Sequence, residues 1–139
     1  VNSVKSALLD GIVPGGGTAL LRISLVPLNT NENERADVTR GRQVLKSALK
    51  IPFNQIMTNA GISELPPVVR VLVGEDSDMN TVYDVLTDNY VDGIEEGIID
   101  PVLVTKTALI NAASIAGTIL TTGCTISFDP DNGDNTLKL

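Results

Sequence analysis

Three consecutive glycines, Gly15-Gly16-Gly17, stand immediately ahead of the apolar run that begins at Thr18. Glycine lets a backbone come close to a ligand, and the free N–H groups at a helix start are a ready seat for phosphate or another anion. A flexible turn between two helices uses the same residues, so the run alone leaves both readings open. Gly11 and Gly16 have the spacing of a Walker A loop, but Gly17 stands where the lysine that reaches the outer phosphates belongs. A dinucleotide fingerprint fails as well, because residue 20 is Leu20. Asp100 is the second chemical candidate. Ahead of Pro101 its carboxylate suits a helix N-cap, and it retains acceptor sites for a ligand hydroxyl. Asp76, Asp78 and Asn80 mimic the opening of a calcium loop, yet Thr81 replaces the required glycine and Thr87 the closing acid. Asp129, Asp131 and Asp134 surround Pro130 without flanking helices, and both groups read as solvated loops. Histidine is absent, which removes Ser-His-Asp and Cys-His catalysis and most transition-metal sites. Cys124 is the only cysteine, expected as a small buried hydrophobe in a reducing compartment.

The elements that must position these groups come from 139 residues, enough for one domain with a real core. An apolar fraction of 42% with 19% charged residues describes a folded chain. With only 3% aromatics the core is expected to be filled by Ala, Val, Ile and Leu, which favours packed helices over a sheet sandwich. A net charge of −7 and no basic stripe argue against nucleic acid as a partner, since phosphate binding needs clustered Lys and Arg. No membrane span is expected, because Lys106, Asn111 and Ser114 interrupt the most apolar run. The start at Val1 carries no legible targeting peptide and reads as the middle of a longer protein.

Helical spacing predicts a helix end over Val4 to Leu9 closed by Asp10-Gly11, and a helix from Thr18 to about Val26 stopped near Pro27. Asn29 to Asp37 reads as a loop. Val38, Gly41, Val44, Leu45, Ala48 and Leu49 form the apolar stripe of a helix over Val38 to Lys50. Pro52 opens the next helix, with Phe53, Ile56, Met57 and Ala60 as its stripe and Gly61 as its end. Pro66 to Val73 is a further short helix, and Glu75 to Asn80 an acidic loop. Thr81 to Leu86 and Tyr90 to Asp92 form a hairpin turning at Thr87-Asp88-Asn89. Asp100 caps a long helix over Val102 to about Leu120 that is nearly uncharged and expected to be buried almost all round. Thr122 to Phe128 reads as a last strand, and Asp129 to Leu139 as a polar tail. The fold class is all-α, mainly helical, in a single domain over 1–139.

Further segments stand in order along the chain: Asp10 to Leu20, Ala48-Leu49-Lys50-Ile51-Pro52, Asn59-Ala60-Gly61, Tyr83-Asp84, Glu96-Gly97-Ile98-Ile99-Asp100-Pro101, Val104 to Leu109, Asn111-Ala112-Ala113-Ser114 and Leu120-Thr121-Thr122. In order and at near-family spacing they resemble one family, the GroEL-type group I chaperonins. The resemblance runs from about Val1 to Asp129. It implies the C-terminal half of an equatorial ATP-binding domain in a double-ring chaperonin. On that resemblance Gly15 and Gly16 lie against the nucleotide, Asp100 bonds the ribose, Asp84, Val85 and Leu86 border the adenine, and Ile98 is an apolar wall. It further implies ATP as cofactor, with magnesium and the catalytic aspartate held by segments this sequence does not contain, so that no catalytic residue is expected here and the piece alone is expected to be inactive. Implied partners are other subunits, with a co-chaperonin and unfolded polypeptides bound through other domains. The implied compartment is bacterial cytoplasm or mitochondrial matrix, with plastid stroma as a further option. The sequence departs from the family at Asp84-Val85-Leu86, where Asn-Ala-Ala or Asp-Ala-Met is usual, and at Asp76 to Asn80, where a glycine-rich segment is usual. A free-standing scaffold descended from a chaperonin, with no nucleotide role, is the alternative expectation.

Overall fold

The computed structural model describes residues 2–27, 35–72, 74 and 77–124. It is mainly helical, as expected, and divides into two units, Val1–Leu103 and Val104–Leu139. The first unit opens with α1 (Asn2–Asp10), which ends where Gly11 turns left-handed at φ +84° and donates its N–H to the Ala7 carbonyl at 3.0 Å. A short strand β1 (Ile12–Pro14) leads through the triple glycine into α2 (Thr18–Leu25). Then follow α3 (Ala36–Leu49), α4 (Ile51–Asn59) and α5 (Leu65–Leu72). The expected loop over Asn29 to Asp37 lies partly outside the described residues, and its last two positions already belong to α3.

The core gathers Leu21 of α2, Phe53 and Met57 of α4, and Val68 and Leu72 of α5, with Ile62, Leu65, Val69, Tyr83 and Val85 packed around them. An aliphatic core was expected. Instead the largest buried side chain is Phe53, one of only two phenylalanines in the sequence. The α4 stripe is narrower than its spacing suggests, since Phe53 and Met57 are buried while Ile56 and Ala60 are exposed. Its end is held by Gly61 at φ +77°, with Ile62 N–H reaching the Met57 carbonyl and Gly61 N–H the Thr58 carbonyl, each at 3.0 Å. This paired wrap satisfies two terminal carbonyls and turns Ile62 back onto the core. On α3 only Leu49 is buried, and Val38, Val44 and Leu45 face solvent.

Two antiparallel two-stranded sheets complete this unit. β2 (Thr81–Asp84) pairs with β3 (Asn89–Asp92), and Tyr83 meets Tyr90 edge-on with centroids 5.2 Å apart. The hairpin turn takes Val85 to Asp88 rather than Thr87 to Asn89, because the Asp84 carboxylate folds the chain over two residues earlier and Asn89 is already in the ladder. β1 pairs with β4 (Ile99–Pro101), setting Ile12 opposite Pro101, Val13 opposite Asp100 and Pro14 opposite Ile99. Asp100 is therefore a strand residue and not the cap of the last helix. The helix begins at Val102, so Pro101 and not Asp100 precedes its first residue, and the Val102 N–H is taken by the Gly11 carbonyl at 3.1 Å.

The second unit carries most of α6 (Val102–Thr121). No residue of α6 is buried, contrary to expectation. Thr107, Asn111, Ser114 and Thr118 line one face, and the apolar side chains spread over the remaining sides rather than along one narrow stripe. Its 20 residues are also long and apolar enough to cross a membrane, since the single charge of Lys106 and the polar Asn111 and Ser114 are outweighed by Leu, Ile, Val and Ala. Length and composition of this kind are shared by core helices of globular proteins. Cys124, expected to be buried, is exposed beyond the helix end. The remainder of the expected last strand, 125–128, and the tail 129–139 lie outside the described residues.

Candidate functional site

The ladder between β1 and β4 continues past the strands, because Gly15 donates its N–H to the Ile98 carbonyl at 2.9 Å. Residues more than eighty positions apart are thus joined, with the glycine turn on one strand and Ile98 and Asp100 on the other. Gly15 is buried and has no room for a side chain: a Cβ there lies 3.0 Å from the Ile98 carbonyl carbon and oxygen and the Ile99 nitrogen. Gly16 and Gly17 follow at φ +62° and +75°, a pair of left-handed residues that swings the chain into α2. The two differ in surroundings. A Cβ on Gly16 meets nothing within 4 Å, whereas one on Gly17 lies 2.8 Å from the Phe53 nitrogen. Gly16 therefore faces open space and Gly17 is the seam between α2 and α4.

Asp100 is half-buried, and its carboxylate accepts no hydrogen bond among the described residues. It remains available for an external donor, on the strand whose ladder leads into the glycine turn. The Ile98 carbonyl also abuts the base of the hairpin, where a Cβ on Gly93 lies 2.9 Å from that oxygen and 2.8 Å from Val82 Cγ1. Asp92 steadies this corner by accepting from the Ile94 and Glu95 N–H groups at 2.8 and 3.1 Å.

The far end of the hairpin reaches the glycine turn by another route. Val85 packs on the core cluster that contains Phe53, whose backbone is the one Gly17 touches. Leu86, at the tip of the turn, is 92% exposed. Asp84 is committed inside the turn: its carboxylate accepts from Thr87 Oγ1 at 2.6 Å and from Leu86 N–H at 2.9 Å. The Thr87 hydroxyl, then the Leu86 amide, hold this carboxyl below the usual aspartate range. Gly15, Gly16, Ile98 and Asp100 thus come together through the ladder. Asp84, Val85 and Leu86 form a separate group joined to them through packing.

Across the hairpin, Tyr83 donates its hydroxyl to the Asp88 carboxylate. That bond is the main reason its pKa is pushed up to about 12. The neutral phenol is the bonded form, so the contribution to stability is complete below the unfolded tyrosine pKa of about 10. It is lost as pH rises through about 12. In a Tyr90→Phe background, tyrosinate absorbance is expected to rise with a midpoint of about 12, and Asp88→Ala to bring it back toward the ordinary value. A midpoint that ignores Asp88 would refute the contact.

One residue escaped the sequence reading altogether. Arg22 is the only charge in the otherwise apolar α2. Its Nη2 donates to the Asp78 carbonyl at 2.7 Å, the Thr81 carbonyl at 3.1 Å and Ser77 Oγ at 3.2 Å. Its one sequence mark is that of a lone cation inside an apolar helix, which says nothing of its acceptors.

A mainly helical chain with two small antiparallel ladders, one of which carries a glycine turn and an uncommitted aspartate, defines a class rather than a single activity. The family model for the TCP-1/cpn60 chaperonins matches residues 1–130. The chain belongs to the TCP-1/cpn60 chaperonin family. Among solved structures it is similar to a crystal structure of a group III chaperonin in the open state, with 27% identity and a TM-score of 0.74. That match covers 87% of this chain and 25% of the other, so the chain spans about a quarter of that relative's length.

Proposed function

We propose that this chain forms the ribose and adenine side of an ATP pocket in the equatorial domain of a chaperonin subunit. The observation that carries the reading is the β1–β4 ladder, which sets Val13 opposite Asp100 and bonds Gly15 to Ile98. Gly16, with open space before it, lies against the nucleotide. Asp100 accepts from a ribose hydroxyl, Ile98 is an apolar wall, and the Asp84-Val85-Leu86 turn borders the base. The chemistry of hydrolysis, magnesium and a water-orienting carboxylate, belongs to segments outside this sequence. By itself the chain is expected not to hydrolyse ATP.

The intact subunit, on this reading, assembles into rings of like subunits and uses ATP to fold captured polypeptides with a co-chaperonin, in bacterial cytoplasm or an organelle of bacterial descent. The sequence segments quoted above support the GroEL-type group. Exposed apolar side chains on α1, at Leu8 and Leu9, supply surface of the kind subunit contacts bury. A second reading, a chaperonin-derived scaffold without nucleotide, draws on Asp84, whose carboxylate is engaged within its own turn.

Asp100→Ala separates the two. A hydrogen bond to a charged group contributes about 1.5–3 kcal/mol. Equilibrium titration of the intact subunit with ATP is therefore expected to show affinity lowered about 10- to 100-fold. Equal affinity in both proteins would favour the scaffold.

A further inference from the structure

We propose that Arg22 is a positioning residue that sets the separation between the glycine-turn side and the base side of the nucleotide pocket. The inference rests on the nucleotide reading above and extends it to a residue that touches no ligand. α2 starts at the residue after Gly17, and Arg22 lies one turn further along it. From there a single nitrogen grips the carbonyls of Asp78 and Thr81 and the hydroxyl of Ser77. Thr81 is the first residue of β2, and β2 runs directly into Asp84, Val85 and Leu86.

The other end of β2 is held differently, on the core cluster to which α2 contributes. Val85 packs on the cluster that includes Leu21, the neighbour of Arg22 in α2. The strand is therefore fixed at its start by hydrogen bonds and at its end by apolar packing. Loss of the apolar contact lets the tip swing. Loss of the guanidinium lets the whole strand slide.

Two observations show that this contact is costly to keep and so has a use. Arg22 Nε is buried with no acceptor among the described residues, an expense a solvated arginine avoids. Burial also pulls the guanidinium pKa down, against the opposing effect of Asp78. The side chain lies on the wall of a cavity of about 370 Å³ shared with Ser77 and Met79, so the loop has room to move once the grip is lost. Lysine is only a partial substitute, because its ammonium can donate to some of these acceptors but lacks the planar guanidinium that fixes the direction of the bonds.

The test compares ATP with ribose 5-triphosphate, which lacks the base, on the intact subunit. Arg22→Met, which keeps the stem, is expected to weaken ATP about 10-fold, the loss of roughly one charged hydrogen bond's effect, while ribose 5-triphosphate binding stays within about 2-fold. Arg22→Lys is expected to fall between the two proteins and guards against a variant that does not fold. Equal losses for both ligands would mean a general structural role and overturn the proposal, as would unchanged ATP affinity. If the unsubstituted protein binds neither ligand, the nucleotide reading itself falls. Amide hydrogen exchange then still decides the mechanical part: Arg22→Met must accelerate exchange at Thr81 to Asp84, and unaltered exchange there overturns it.

Discussion

Gly17→Ala is expected to lower stability by about 3 kcal/mol, and Gly16→Ala by only about 1 kcal/mol, although the two are adjacent and both left-handed. The backbone part of the cost is common to both, since φ is +62° at Gly16 and +75° at Gly17. What separates them is space. A methyl at Gly16 meets nothing, whereas at Gly17 it comes to 2.8 Å from the Phe53 nitrogen and 3.0 Å from its Cα. Those atoms belong to the first turn of α4 and cannot step aside without moving the helix. Urea denaturation of the three proteins measures the difference, and indistinguishable midpoints for the two variants would refute the close approach.

Phe53→Ala is expected to cost about 3–5 kcal/mol, the usual range for emptying a buried aromatic site. Phe53 is 1% exposed and shares its cluster with side chains from α2 and α5, so the void opens where three helices meet. Combined with Gly17→Ala it tests the nature of the seam. The nearest atoms to the added methyl are backbone, with Phe53 Cβ at 3.3 Å, and alanine keeps every one of them. The double variant is therefore expected to show no rescue. Recovery of even 1 kcal/mol, the scale of coupling between residues in contact, would mean that the ring and not the backbone is what Gly17 avoids.

The helices were legible because their signals are local. Pro27 and Pro52, the Gly11 and Gly61 stops, and the spacing of Phe53 and Met57 each act within one or two turns, and α1, α2, α4 and α5 fall where those residues put them. The hairpin was legible from Tyr83 and Tyr90, though its turn was displaced by the side chain of Asp84. Burial was read less well. The stripe on α3 is formed of the right residues but only Leu49 meets a partner, and α6 has apolar residues throughout yet buries none. Periodicity states which residues share a face, not what that face meets.

The candidate site divides along the same line. Gly15 to Gly17 and Asp100 stood out by type, but Asp100 was expected to cap a helix, and it lies in a strand because β1 supplies the ladder partner, with Pro101 between it and the first residue of α6. Arg22 was invisible as a functional residue, since its acceptors are main-chain carbonyls some sixty positions away and carry no mark in the sequence.

Composition, glycine and proline positions, and apolar spacing determined a mainly helical chain with a glycine turn ahead of α2, because backbone sterics and side-chain periodicity are properties of neighbours. Only the tertiary structure decided that Gly15 bonds Ile98, that Gly17 rests on Phe53 while Gly16 stays open, and that Arg22 grips the start of β2. Each of those joins distant segments through a hydrogen bond or a contact distance. Such pairings depend on where whole elements pack, which no local pattern encodes.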